Sequence, residues 1–325
     1  MGRYLLTGVA GFIASRVAES LLRDGHEVVG LDNLNDAYDR RLKDWRLKRL
    51  QGEAGFRFHL VDIAERELLE AAWGTQAYDA VINLAARANV RHSVRHPWLY
   101  VATNVTGTLN LLDLCRERKV TKFVLASTSS VYGASPVLPT PESANSDHPL
   151  QPYAATKKAA EALAHSYHHL HGLDVTVVRY FTVYGPAGRP DMSMFRFCQW
   201  IAEGRPVRVN GDGEQTRGYT YIDDIARGTV LALRRMGFEI VNLGGHEAIK
   251  INDLIRLIEA QVGRRADVHF GPIHPADVAA NWANVEKAGR LLGWEPQVGV
   301  REGVARLVEW YMAERHWASS VDTSD

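Results

Sequence analysis

Tyr153 and Lys157 stand four residues apart in Tyr153-Ala154-Ala155-Thr156-Lys157, at the start of a stretch with helical periodicity. Residues at that spacing share one helix face, so a phenol and an ammonium are expected to point into one site. A free phenol, with a pKa of about 10, is a poor base near neutrality. A cation beside it stabilises the phenolate and brings its pKa toward the working range. Upstream, Ser127-Thr128-Ser129-Ser130-Val131-Tyr132-Gly133 follows an apolar run and offers hydroxyls to the phenol. Tyr and Lys four apart are common on helix surfaces, so the pair gains weight only from its company.

That company begins at the N-terminus. Thr7-Gly8-Val9-Ala10-Gly11-Phe12-Ile13-Ala14 follows a short apolar run and opens a helical one. Glycines at 8 and 11 permit a tight turn and let backbone approach a pyrophosphate, whose charge suits the N–H groups and positive dipole end of a helix. Ala14 takes the close-packing place where glycine is more usual. Asp32 ends the next apolar run, about twenty residues on, where a carboxylate accepts from a ribose 2′-hydroxyl and repels a 2′-phosphate. The expected cofactor is therefore NAD. Its positive nicotinamide ring joins Lys157 in favouring the phenolate. Asp62-Ile63, after the third run, either sits by the adenine or caps a helix.

The elements that must position these groups alternate. Short β-branched runs at 4–6, 28–31, 56–61, 80–84, 123–126 and 175–178 lie between helical patterns at 13–23, 99–118 and 153–171. This pattern predicts an α/β fold with a Rossmann-type doubly wound parallel sheet. After Arg179 the text becomes turn-rich, with helical patterns at 225–235, 254–262 and 300–314. We expect a cofactor domain over 1–181, a return to it at about 222–246 through a strand at 239–243, and a smaller substrate-binding α/β domain over 182–325. The polar tail from Ser319 is expected to fray.

The chain has 38 Lys plus Arg and 38 Asp plus Glu, for a net charge of zero, which gives no electrostatic footprint for nucleic acid or an anionic membrane. Cys115 and Cys198 lack ligand or disulfide spacing, so a reducing, cytoplasmic setting without structural zinc is expected. No leader or membrane-span pattern is present in the sequence. His165, His168, His169 and His171 share a helix but have no acidic or second cluster, so a solvated face is preferred to a metal site. Asp223-Asp224 reads as a helix cap. Trp294, Trp310 and Trp317 read as core or interface.

The ordered set Gly8-x-x-Gly11-Phe12-Ile13, Asp32-Asn33, Asn83-Leu84-Ala85-Ala86, Ser127-to-Gly133 and Tyr153-x-x-x-Lys157 resembles the extended short-chain dehydrogenases, which include nucleotide-sugar epimerases, dehydratases and decarboxylases. The likeness covers nearly the whole chain. It implies that Thr128, Tyr153 and Lys157 are the catalytic trio. It also implies that Phe12, Ile13, Asn33, Asp62, Ile63, Ala85, Asn104 and Tyr180 line the cofactor and that Lys157 bonds its ribose. A homodimer through the 99–118 and 153–171 helices is implied too.

Dehydratases of that group carry Asp-Glu after the catalytic Thr, and decarboxylases a Glu at the second of those places; here they are Ser129 and Ser130. Hydride removal and return at one carbon is the more economical chemistry. Leu31-to-Asp39, Arg179-to-Pro186, Arg189-Pro190-Asp191-Met192 and Tyr219-to-Ile225 are similar to UDP-glucuronate 4-epimerases, although Gly218 stands where relatives commonly have Asp. That resemblance implies a UDP-sugar substrate and a 4-keto intermediate. Thr128, Ser129, Ser130 and Thr182 are candidates to anchor a carboxylate through neutral hydroxyls, with Ser130 evenly balanced between that and a local backbone bond. Arg189 and Arg217 are candidates for the diphosphate, since a guanidinium fork matches phosphate oxygens. The alternatives are a UDP-glucose or UDP-N-acetylhexosamine 4-epimerase, a decarboxylase, or an NAD-sensing module without catalysis.

Overall fold

The structure, a computed structural model, describes residues 1–134, 137–245, 247–273 and 280–323. Its first part alternates strand and helix: β1 (Arg3–Thr7), α1 (Phe12–Arg23), β2 (Glu27–Asp32), α2 (Arg40–Gln51), β3 (Phe56–Leu60), α3 (Arg66–Trp73) and β4 (Ala80–Asn83). Then follow α4 (Val90–Arg95), α5 (Pro97–Tyr100), a π-helical segment (Val101–Thr106), α6 (Gly107–Glu117), β5 (Lys122–Thr128), a 3₁₀ turn (Ser129–Tyr132), α7 (Pro152–His171) and β6 (Asp174–Tyr180). The remainder is β7 (Thr182–Tyr184), α8 (Ser193–Glu203), β8 (Val207–Asn210), β9 (Thr216–Tyr221), α9 (Ile222–Leu231), β10 (Phe238–Leu243), β11 (Ala248–Lys250), α10 (Ile251–Val262), β12 (Val268–Gly271), β13 (Ala280–Asn281), α11 (Glu286–Leu292), α12 (Val300–Ala313) and α13 (Arg315–Ala318).

Seven parallel strands form the main sheet in the order β10-β6-β5-β4-β1-β2-β3. Strand order reverses between β1 and β4, which opens a crevice beyond the carboxyl ends of the strands. Helices cover both faces, so central strands are buried throughout; every residue of β5 is buried. That includes Lys122, whose ammonium donates to Asp174 Oδ1 at 2.6 Å, Thr176 Oγ1 at 2.7 Å and the Arg234 carbonyl at 2.9 Å. A buried cation is tolerable only with such partners.

Smaller sheets stand beside the crevice. β9 runs antiparallel to β11 and parallel to β7 and β13, while β8 pairs with β12. Their core joins Phe197, Ile201, Leu254, Ile258, Val304, Leu307 and Tyr311 from α8, α10 and α12.

Several expectations need correction. The helix expected over 99–118 is continuous but not α-helical throughout: α5 passes into the π-helical segment, where Val101, Thr103, Val105 and Thr106 crowd a β-branched run, and α6 resumes at Gly107. Asp223 and Asp224 lie inside the first turn of α9, after Tyr221, rather than capping it. Asp223 pairs with Arg16, and Asp224 Oδ2 accepts from the Gln297 and Val298 amides at 2.9 Å each. The tail does not fray as far as Thr323. Val321 is buried, and Thr323 Oγ1 accepts from Trp200 Nε1 and donates to Gln199 Oε1, both at 3.0 Å. The rest of the tail, Ser324 and Asp325, lies outside the described residues.

Trp294 is fully buried and donates to the Asp224 carbonyl at 2.8 Å, while Trp310 and Trp317 pack edge to face. His165 and His168 lie against Phe238, and His168 Nδ1 is 2.8 Å from the Leu173 carbonyl oxygen.

Candidate active site

A cavity of about 500 Å³ occupies the crevice and draws its walls from most of the segments singled out above. At one end lie Gly8, Gly11, Phe12 and Ile13. Gly8 has φ +72°, and a Cβ there would stand 2.8 Å from the Ala85 backbone, so the turn requires glycine. Its N–H donates to the Leu31 carbonyl at 2.7 Å, and Gly11 N–H closes the turn on the Gly8 carbonyl at 2.7 Å. No side chain caps the N-terminus of α1, so its first amides are available to an anion.

Asp32, Asn33, Asp62, Ile63 and Ala85 continue this wall. Asp32 is held by the Ala10 amide at 3.1 Å and the Leu34 amide at 2.8 Å. Asp62 does not cap α3, where Glu65 has that place; it accepts from Asn33 Nδ2 at 2.7 Å and the Ala64 amide at 2.9 Å. Turn, uncapped helix end and acid together fit an adenine dinucleotide without a 2′-phosphate.

The chemistry end lies past β5 and β6. Thr128 ends β5, Ser129 and Ser130 open the 3₁₀ turn, and Tyr153 and Lys157 sit on the first turns of α7; all five face the cavity. Thr128 Oγ1 donates to Ser130 Oγ at 3.2 Å and accepts from the Ser130 amide at 3.2 Å. Burial raises the Tyr153 pKa, and the Thr128 hydroxyl and Arg189 pull against it without overcoming it. The sequence reading assigned the pull on the phenol to Lys157 and the nicotinamide ring together; the protein's own groups leave the phenol above its ordinary value.

Lys157 is buried, and desolvation brings it down to about 8, opposed by Glu161 one turn further along α7. Glu161 is itself clasped by Arg179 of β6, at 2.9 and 2.6 Å, and bonded by Ser127. This buried pair ties helix to sheet directly behind the Tyr-Lys face.

Tyr180, Thr182 and Arg189 also line the cavity. The Tyr180 hydroxyl lies 2.7 Å from Thr229 Oγ1, leaving its ring as wall. Arg189 donates to Asp191 Oδ1 at 3.0 Å; burial alone would lower its pKa, but Asp191 outweighs that and holds it above the ordinary value. Two candidates are not on the wall. Asn104 is buried in the π-helical segment and fastens backbone: it accepts from the Arg87 amide at 2.9 Å and donates to the Arg87 carbonyl and Thr156 Oγ1, both at 3.1 Å. Arg217 lies on β9, with Nη1 donating to the Thr216 carbonyl at 2.9 Å.

Lys43, Asn89, Arg196 and Asn281 were not singled out in the sequence and do line the cavity, as does Asp191, which was given no role there. Lys43 Nζ donates to the Asn35 carbonyl at 2.8 Å and lies 3.9 Å from Asp32, balancing its charge. The basic helix after Asp39 carried that signal; a lone Asn at 281 carried none. Gly218, the departure from relatives, also has its reason. A Cβ there would meet Trp282 Cβ at 2.6 Å and the Gly245 carbonyl at 2.8 Å.

A parallel sheet with an uncapped α1, an acid ending β2, Thr128 ending β5, and Tyr153 and Lys157 on the first turns of α7 is the arrangement of a Rossmann-type short-chain dehydrogenase fold. The sequence profile of the NAD dependent epimerase/dehydratase family matches residues 4–244, and the chain belongs to that family. It is 54% identical to a UDP-glucuronate 4-epimerase of Thermodesulfobacterium geofontis, over 95% of this chain and 96% of that one. Its structure is similar to that of UDP-glucuronic acid 4-epimerase from Bacillus cereus in complex with UDP-glucuronic acid and NAD (TM-score 0.89, 36% identity, 96% of this chain and 99% of that one). It is also similar to Thermotoga maritima UDP-glucose 4-epimerase with UDP-glucose (TM-score 0.89, 32% identity, 96% and 99% covered).

Proposed function

We infer that this chain is an NAD-dependent nucleotide-sugar 4-epimerase that interconverts UDP-glucuronate and UDP-galacturonate. Fold similarity does not choose the sugar, because a UDP-glucose enzyme superposes equally well. The observation that carries the choice is the row of neutral hydroxyls, Thr128, Ser129, Ser130 and Thr182, on the cavity wall where an acidic side chain would repel a carboxylate. The 54% identity with a UDP-glucuronate 4-epimerase supports it.

Gly8, Gly11 and the α1 amides hold the NAD pyrophosphate in this reading, Asp32 a ribose, and Lys157 the ribose beside the nicotinamide. NAD bound there supplies a hydride acceptor and donor for the sugar C4. Tyr153, as phenolate, takes the proton of the 4-hydroxyl as the C4–H bond breaks and the C=O forms. It returns that proton when hydrogen comes back to the opposite face of C4. Thr128 donates to the phenolate or the sugar oxygen, fixing the proton's route. Arg189 neutralises the diphosphate, and Arg217, on β9 and off the cavity wall, is the second candidate for that group.

The 4-keto intermediate is a β-keto acid. If its C5–C6 bond aligns with the carbonyl π system, that bond breaks, its electron pair passes into an enolate across C4 and C5, and CO2 leaves. Hydroxyl donors that fix the carboxylate torsion suppress this alignment.

We also propose a homodimer, with α4 to α6 and α7 at the interface, and a cytoplasmic setting. Val94, Trp98, Leu99 and Leu109 support the interface because they expose large apolar side chains along one segment. None of the described helices is long and apolar enough to cross a membrane.

The test is to incubate purified protein with UDP-glucuronate or UDP-glucose, without added cofactor, and identify products by NMR. UDP-galacturonate from the first and at least about tenfold slower turnover of the second is expected, a discrimination of roughly 1.4 kcal/mol. A UDP-pentose as main product, or faster turnover of UDP-glucose, would overturn the assignment.

A further inference from the structure

Asn281 reaches the chemistry from far away in sequence. It ends β13, a two-residue strand lying parallel to β9 with Asn281 opposite Arg217, and it lines the cavity beside Ser129. Its Nδ2 donates to Ser129 Oγ at 3.3 Å. The strand is clamped just past this point. Trp282 takes the space that a side chain at 218 would need, and its carbonyl accepts from the Thr140 amide at 2.9 Å. Ala283 is buried, with its amide on the Gly245 carbonyl at 3.3 Å. The Gly218 departure and the placement of Asn281 are thus one packing solution.

A serine hydroxyl has one proton and two lone pairs. Accepting from Asn281 engages a lone pair and leaves the proton for an acceptor in the cavity. We propose that Asn281 is a positioning residue that aims the Ser129 hydroxyl proton at the substrate carboxylate. In doing so it selects an acidic sugar and keeps the 4-keto intermediate from losing CO2. This rests on the reading of the hydroxyl row as a carboxylate anchor. An aspartate at 281 would reverse the polarity, drawing the Ser129 proton to itself and presenting only lone pairs to the substrate.

The test compares S129A, N281A, N281D and the S129A/N281A double variant by two readouts. These are the Kd for UDP-glucuronate against that for UDP-glucose by calorimetry, and the share of turnover that releases CO2. S129A and N281A are each expected to weaken UDP-glucuronate binding about five- to tenfold and raise the CO2 share, the loss of one charge-assisted donor. UDP-glucose binding stays within about twofold, the double variant is no worse than the worse single one, and N281D loses more than N281A.

If S129A shifts both readouts while N281A leaves them at the parent values, the role of Asn281 is overturned and the carboxylate anchor stands. If neither variant shifts them, the anchor itself fails, and this proposal with it. Additive losses, or N281A weakening UDP-glucose as much as UDP-glucuronate, would also overturn it, because Asn281 would then act apart from Ser129 or only through the fold.

Discussion

At the scale of single residues, burial moves two groups of the site in opposite directions. It raises the Tyr153 phenol above its ordinary value and pulls Lys157 down to about 8. A lysine ordinarily at 10.5 that sits at about 8 when folded binds fewer protons than in the unfolded chain between those values, so its contribution makes the fold more stable as pH rises through that window. Near neutrality the buried ammonium is a cost that the function requires. Lys157→Met is therefore expected to be inactive yet more stable than the parent at pH 7, with the gap closing toward pH 10. Urea unfolding of cofactor-free protein across that range reads this directly. A variant less stable at neutral pH, or a gap that widens with pH, would mean that Lys157 is not strained in the fold.

The residues that sequence reasoning reached were those in motifs whose spacing carries a mechanism: Gly8 and Gly11, Asp32, Thr128, Tyr153 and Lys157. Asn104 and Arg217 came from resemblance alone, and the structure puts neither on the cavity wall. Asn281 was invisible because its role comes from a strand pairing with no local signature.

At the scale of elements, the parallel sheet was legible because central strands are buried on both faces and alternate with amphipathic helices at regular spacing. Every run expected there is a strand, and the run at 239–243 joins the sheet edge as β10. The helix over 99–118 was legible as a helix, but not the π-helical segment inside it, which a periodicity of three and four does not reveal. The small sheet was not legible: β9 pairs with β7 and with β13 across long stretches of intervening chain, Thr182 opposite Tyr219 and Ala280 opposite Thr216, and β13 is two residues long. Its packing yields an element-scale prediction. Gly218→Asp places a side chain into Trp282 and the Gly245 carbonyl, and is expected to lower stability by about 1–3 kcal/mol, as overpacking does. Denaturant midpoints for this variant and for Gly218→Asp with Trp282→Ala check it. Partial rescue by the second change is expected, and a neutral Gly218→Asp would remove the packing explanation.

For the whole molecule, the charge balance and the crevice at the strand ends agree with a small-molecule enzyme whose anionic ligand is met by local groups. Trp98 is 80% exposed and Val94 62%, a costly display for a monomer. A dimer in sedimentation velocity is expected, as is its dissociation by Trp98→Glu with the main-sheet circular dichroism retained. A monomeric parent would contradict the proposed interface.

The central claim is that one hydrogen leaves C4 and returns to the same carbon while Tyr153 shuttles only the hydroxyl proton. Running the epimerisation of UDP-glucuronate in D2O and reading the product by NMR tests it most directly. The account predicts UDP-galacturonate with protium at both C4 and C5; deuterium at either carbon would contradict it, because the hydrogen would then have passed through solvent.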